Sequence, residues 1–185
     1  EIGEPLLLEI ARFWASMAEM GYDDRYHILQ VMGPDEFHEE YPGAHSPGLD
    51  DNAYTNVAVS WVLSSAADLV TSADLEERVL WSDISRKLYV PFHLADEGLV
   101  VSQFSGYERL EEFDWEAYRL RYGNIQRLDL VLEAEGDTTD RYKLSKQADT
   151  LMLGYLFPEG DLAARFAHMG YELPDDVWQR TIRYY

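Results

Sequence analysis

Apolar residues recur at spacings of three and four through most of this chain, and that rhythm restricts it to a helical architecture. Residues 4–20 place Leu6, Ile10, Phe13, Trp14 and Met17 on one stripe, closed by Gly21. Residues 52–70 and 74–89 repeat the pattern, the second with Leu75, Val79, Trp81, Ile84 and Leu88 as its predicted buried face. Shorter helices are predicted over 114–122, 126–133, 145–157, 161–169 and 174–184. Pro174 followed by Asp175 and Asp176 suits a helix start, where a missing N–H costs nothing and negative charge meets the helix dipole. Strand signals are confined to the connections. One is His27–Met32, stopped by Gly33-Pro34; the other is a hairpin within 92–106 that turns at Asp96-Glu97-Gly98. There is no βαβ alternation, nucleotide-type glycine loop or fixed repeat. Helix pairs joined by loops of very different length predict an all-α fold, an α/α toroid with short β-hairpins, whose long loops build a site at one rim. Residues 35–50 form the most conspicuous loop, and loops of that length are commonly functional.

Charge and composition narrow the partners. The formal charge is −20, which repels phosphate backbones and anionic lipid, so no nucleic acid and no membrane surface is expected as a partner. The absence of Cys excludes disulfides and thiolate chemistry, which is compatible with a cytoplasmic enzyme. No apolar run approaches the roughly 20 residues of a membrane span, and no signal peptide is recognisable. The chain starts without Met, is in helical rhythm by residue 4, and ends on Ile182-Arg183-Tyr184-Tyr185. Such ends predict a segment of a larger protein, truncated on both sides.

Three constellations could carry chemistry. In Gly33-Pro34-Asp35-Glu36-Phe37-His38-Glu39 a strand ends, a Gly-Pro turn fixes the backbone and an acid follows. Glycosidic cleavage needs a carboxylic acid that stays protonated near neutrality. Apolar surface from Phe37 and negative charge from Asp35, Glu39 and Glu40 would both raise the pKa of Glu36. The same residues read equally as an acidic surface loop. In Asp51-Asn52-Ala53-Tyr54-Thr55-Asn56, Asp50 or Asp51 could cap the following helix, while Asn52, Tyr54 or Asn56 could hold the acid loop or a sugar hydroxyl. In Ser145-Lys146-Gln147-Ala148-Asp149, Ser145 is a candidate N-cap. Lys146 would then oppose the helix dipole, a local inconsistency that can mark a functional position. Lys and Gln together suit vicinal sugar hydroxyls. Trp14, Trp61, Trp81 and Trp178 fall in helical periods and read as core; Tyr107 and Trp115 lie nearer loops and are weak candidates for stacking on a pyranose.

Together these segments resemble glycoside hydrolase family 65, the maltose, kojibiose, trehalose and nigerose phosphorylases and related hydrolases. The residues that carry the likeness are Val31-Met32-Gly33-Pro34-Asp35-Glu36-Phe37-His38-Glu39, Asn52-Ala53-Tyr54-Thr55-Asn56, Gln103-Phe104-Ser105-Gly106-Tyr107 and Tyr142-Lys143-Leu144-Ser145-Lys146-Gln147-Ala148-Asp149. The resemblance implies that residues 1–185 are a C-terminal portion of an (α/α)6 barrel catalytic domain. It implies that Glu36 is the general acid, with Glu39 the runner-up, and that Lys146-Gln147 binds the sugar at the cleavage site. Asp35, Glu39, Asn52, Tyr54 and Asn56 would support the acid loop. The implied reaction is inverting phosphorolysis of an α-linked glucose disaccharide of the maltose, kojibiose or trehalose type to β-glucose 1-phosphate. Inorganic phosphate is then a co-substrate, held by residues beyond Tyr185, and no metal or organic cofactor is implied. A hydrolase of the same family is the alternative; a helical fragment without activity of its own is the second. The stretch Glu40–Asp50 is longer than in typical phosphorylases and would reshape the acceptor side. An incomplete barrel would expose apolar faces, so a homo-oligomer is plausible.

Overall fold

A computed structural model describes residues 3–158 and 160–185, which form eight α-helices and two short antiparallel hairpins. Helix α1 (Gly3–Met17) stops three residues before the sequence rhythm does. Ala18–Met20 instead form β1, which pairs with β2 (Tyr26–Ile28) in the register Ala18↔Ile28. Gly21 therefore closes a hairpin rather than a helix, its N–H donating to Arg25 O at 2.8 Å. The predicted strand to Met32 ends early because Gln30 takes a left-handed φ of 56°. Val31 rejoins the structure through a bridge to Leu49.

The main core forms around α2 (Ala53–Leu69), which packs against α1, α3 (Leu75–Lys87), α6 (Asp149–Leu156) and α7 (Asp161–His168). Val57, Leu63, Ala66, Trp81, Ile84, Leu153 and Phe166 are among its buried side chains. Helix α2 starts where Asn52 accepts a bond from Thr55 N–H, so Asn52 is the cap and not Asp50 or Asp51. Helix α3 starts on a reciprocal Asp74–Glu77 capping box. Its predicted face is only half right. Trp81, Ile84 and Leu88 are buried, but Leu75 and Val79 are exposed, because the packed stripe runs through Glu77, Arg78, Trp81, Ile84, Ser85 and Leu88 and leaves those two on the other face. Trp61 is likewise half exposed, contrary to its helical period, while Trp81 is core.

The second half of the chain supports the loop after β2. Hairpin β3 (Phe92–Ala95)–β4 (Gly98–Val101) is covered by α8 (Asp175–Tyr184), whose Thr181 Oγ1 accepts from Val101 N–H at 3.1 Å. Helices α4 (Trp115–Tyr122) and α5 (Leu128–Glu135) build a separate apolar cluster of Phe37, Phe113, Leu128, Leu132 and Leu144. A third cluster joins Leu49, Phe104, Tyr107 and Leu110. Phe37 and Leu49 belong to the 35–50 loop itself. Each contributes about 2 kcal/mol on burial, so the loop is anchored at two points rather than draped on the surface. Among the described residues, no helix is long and apolar enough to cross a membrane.

Candidate functional site

The acid loop is cinched by backbone bonds between Val31 and Leu49 in both directions, at 3.0 and 2.9 Å. Within it, Glu36 faces the opposite way from its neighbours. Asp35, Phe37 and His38 are buried, and Glu36 points out. Asp35 Oδ1 accepts from Phe37 N–H at 3.2 Å and from Lys146 N–H at 3.1 Å. Its Oδ2 accepts from Gln103 Nε2 at 3.1 Å and lies 3.4 Å from His38 Nδ1. Burial alone would raise the Asp35 pKa, but the His38 ring beside it and the bond from Gln103 outweigh that and hold the carboxyl below its usual range. The far side of the loop is tied to residues 139–142. Thr139 Oγ1 donates to Phe37 O at 2.6 Å, Asp140 Oδ1 accepts from Glu39 and Glu40 N–H, and His38 Nε2 meets Tyr142 O at 3.0 Å.

This scaffold presents Glu36 to Lys146 and Gln147. Lys146 Nζ donates to Glu36 Oε2 at 2.5 Å, and Gln147 Nε2 donates to Glu36 Oε1 at 3.3 Å and to Pro34 O at 2.9 Å. Those bonds, Lys146 first, hold the Glu36 carboxyl below its ordinary pKa. That reverses the local expectation of a raised value. Phe37 turns away into its own cluster, and the solvated Glu36 carboxyl is paired with Lys146, which outweighs the raising charge of Asp129. Helix α6 begins at Asp149, not Ser145, so Lys146 does not oppose a helix dipole. Ser145 caps nothing; its hydroxyl donates to Gln103 Oε1 at 2.6 Å.

Beneath the loop, Asn52 Nδ2 donates to Asp149 Oδ2 at 2.8 Å, with both side chains buried. A Cβ on Gly33 would fall 2.2 Å from Asp149 Oδ2 and 2.4 Å from Asn52 Nδ2, so only glycine passes over this pair. Burial raises the Asp149 pKa to about 6, against the lowering bond from Asn52. Asn52 is thus at the site. Asn56 is not: its Nδ2 donates to Tyr89 O at 2.7 Å and reaches Asp51 Oδ1 at 3.3 Å. Tyr54 packs against the main core, and Glu39 is exposed, bound to Asp140 only through its backbone. Tyr107 is buried between His38 and His93 and presents no stacking face; Trp115 opens α4 and is partly exposed. Asp149, Gln103 and the inward His38 are the side chains that periodicity gave no reason to single out. Among the described residues, no three His, Cys, Asp or Glu side chains cluster as metal ligands.

The result is an exposed carboxyl bracketed by a lysine and a glutamine, on a loop held from beneath, an arrangement of donors and acceptors that suits a hydroxylated ligand. The family model for the "Glycosyl hydrolase family 65 central catalytic domain" matches residues 1–185. The chain belongs to glycosyl hydrolase family 65. Within family 65, it is 47% identical over its whole length to an uncharacterized glycosyl hydrolase of Mycobacterium tuberculosis, of which it spans 15%. It is 40% identical over 99% of its length to a trehalose 6-phosphate phosphorylase of Lactococcus lactis, of which it spans 24%. In structure it resembles a chain described as "Putative kojibiose phosphorylase from human microbiome", with a TM-score of 0.60 and 19% identity over 91% of this chain and 25% of that one. At that identity the likeness speaks for the fold. The chain therefore spans no more than a quarter of these family 65 proteins.

Proposed function

We propose that this chain is the acid-bearing portion of an (α/α)6 barrel in an inverting α-glucoside phosphorylase, with Glu36 as general acid. The convergence of Glu36 with Lys146 and Gln147 carries this reading. Without substrate, the two donors keep Glu36 ionised. A glucosyl unit bound at the cleavage site takes those donors for its hydroxyls. Glu36 then loses the bonds that lower its pKa, and burial by the sugar raises it. Substrate entry thus loads the proton that Glu36 passes to the interglycosidic oxygen. Inorganic phosphate attacks the anomeric carbon from the opposite face in a single displacement, so an α-glucoside yields β-glucose 1-phosphate. Phosphate is already nucleophilic, and the second carboxylate of an inverting glycosidase is unnecessary. Residues outside 1–185 hold the phosphate. The 40% identity to a trehalose 6-phosphate phosphorylase favours a trehalose-type substrate.

The relative named a glycosyl hydrolase supports a second reading, in which water replaces phosphate. It requires a base carboxylate roughly 6.5–9.5 Å from the acid. One experiment separates the two. The full-length enzyme is incubated with each α-linked glucose disaccharide with and without inorganic phosphate, and products are followed by proton NMR. Phosphate-dependent β-glucose 1-phosphate is expected. Glucose release at one rate in both conditions refutes phosphorolysis.

A further inference from the structure

Gln103 is fully buried, and each of its four polar groups serves a different segment. Its backbone N–H donates to Tyr185 Oη at 2.9 Å, and its carbonyl accepts from Ala53 N–H at 2.8 Å, at the start of α2. In the side chain, Nε2 donates to Asp35 Oδ2 at 3.1 Å, and Oε1 accepts from Ser145 Oγ at 2.6 Å. The amide can face only this way, because an ionised Asp35 has nothing to donate. Asp35 passes the constraint on. Its other oxygen holds Phe37 N–H, next to Glu36, and Lys146 N–H itself. Ser145, the other partner of Gln103, immediately precedes Lys146. The two ends of the Glu36–Lys146 pair are therefore referred to one carboxamide.

We propose that Gln103 is a positioning residue of the site, whose carboxamide sets the spacing between Glu36 and Lys146-Gln147 by clamping Asp35 on one side and Ser145 on the other. The inference rests on the functional reading above. Simple packing does not account for it. Phe104 and Tyr107 line the same region, and an apolar side chain would fill the volume without the cost of burying an amide.

The decisive substitution is Gln103→Glu in the full-length enzyme, which keeps shape and replaces the donor by a carboxyl. That carboxyl faces Asp35 directly. His38, Asp149, Tyr107, Tyr185 and the Lys146 backbone surround the pair. Two carboxyls at such a distance share a proton. While the proton is held, the clamp survives; once it is lost, the pair repels and the clamp opens. Gln103→Glu should keep kcat within a few-fold of wild type at low pH and lose about 100-fold as pH rises, the scale of a 1 Å misplacement. Its alkaline limb therefore moves to lower pH, and circular dichroism over the same range should show the variant still folded, which separates the effect from loss of stability. Gln103→Leu should lose about 100-fold at every pH. An unshifted alkaline limb in Gln103→Glu overturns the proposal. A readout free of turnover is the crystal structure of the full-length Gln103→Leu enzyme. The Asp35–Lys146 backbone bond and the Glu36–Lys146 contact should be lost; both unchanged also overturns the proposal. If wild type cleaves no α-glucoside, the functional reading fails, and the crystal structure still decides the clamp.

Discussion

Gly33→Ala isolates the packing beneath the acid loop from every other effect. Gly33 does not have a positive φ, so alanine meets no backbone penalty. The cost is steric: the new methyl would stand 2.2 Å from Asp149 Oδ2 and 2.4 Å from Asn52 Nδ2. Neither side chain can retreat freely. Asn52 Oδ1 caps α2 through Thr55 N–H at 2.9 Å, and Asp149 Oδ1 accepts from Thr150 N–H at 2.8 Å. Overpacking of this kind costs about 1–3 kcal/mol, and separating the buried Asn52–Asp149 bond adds about 1–2 kcal/mol. The sum, roughly 3 kcal/mol, should appear in urea unfolding as a lower midpoint with an unchanged slope. Gly43→Ala is the control. Nothing lies within 4 Å of its Cβ, but φ is +76°, so its cost of about 1 kcal/mol is conformational alone. Adding Asp149→Ala to Gly33→Ala removes the struck oxygen and should recover about 1–2 kcal/mol relative to additivity. A Gly33→Ala protein as stable as wild type, or strict additivity in that cycle, refutes the packing argument.

Three further outcomes follow from the same geometry. Lys146→Met removes the first cause of the lowered Glu36 pKa, so the alkaline limb of kcat/KM should move to higher pH even as the rate falls; an unmoved limb disconnects Lys146 from the acid. Asp149 has a folded pKa raised to about 6 from 3.8, so its ionisation opposes folding as pH climbs through that window. Chemical denaturation at pH 4 and pH 7 should therefore show the difference between Asp149→Asn and wild type shifting by about 2 kcal/mol in the variant's favour, whatever fixed cost the swap carries. Val79→Lys on the exposed half of α3 should change stability by less than about 0.5 kcal/mol, whereas Ile84→Ala should cost about 2–5 kcal/mol; equal losses by thermal unfolding would restore the fully buried face that periodicity suggested.

What the residues disclosed in advance, and what they hid, divides along one physical line. Elements set by local chemistry were legible. The α2 span, the Asp74 start of α3, the turn at Asp96-Glu97-Gly98 and the Pro174-Asp175 start of α8 all lie within a residue or so of where pattern placed them. Elements set by distant partners were not. Ser145-Lys146-Gln147 reads as a helix start, yet it is held out of α6 by Asp35, Gln103, Pro34 and Glu36, up to 113 residues away in sequence. The bridge between Val31 and Leu49 escaped for the same reason, while the β1–β2 hairpin was hidden because Ala18–Met20 continue the helical rhythm of α1. Within the site, the motif fixed attention on Glu36, Lys146 and Gln147, and the structure brings those three together. It gave the environment of Glu36 the wrong sign, because neighbours in sequence on this loop face opposite ways. Asp149 and Gln103 stand in the motif segments, but nothing local marks them as buried supports; only their tertiary bonds reveal that part.

The most direct test of the account compares two leaving groups in the full-length Glu36→Gln enzyme. A disaccharide needs its departing oxygen protonated; α-glucosyl fluoride, whose leaving group is a weak base, does not. If Glu36 is the general acid, turnover of the disaccharide should fall by about 10²–10⁴-fold while α-glucosyl fluoride is consumed at close to the wild-type rate. An equal fall on both substrates, or near-normal turnover of the disaccharide, would contradict that role.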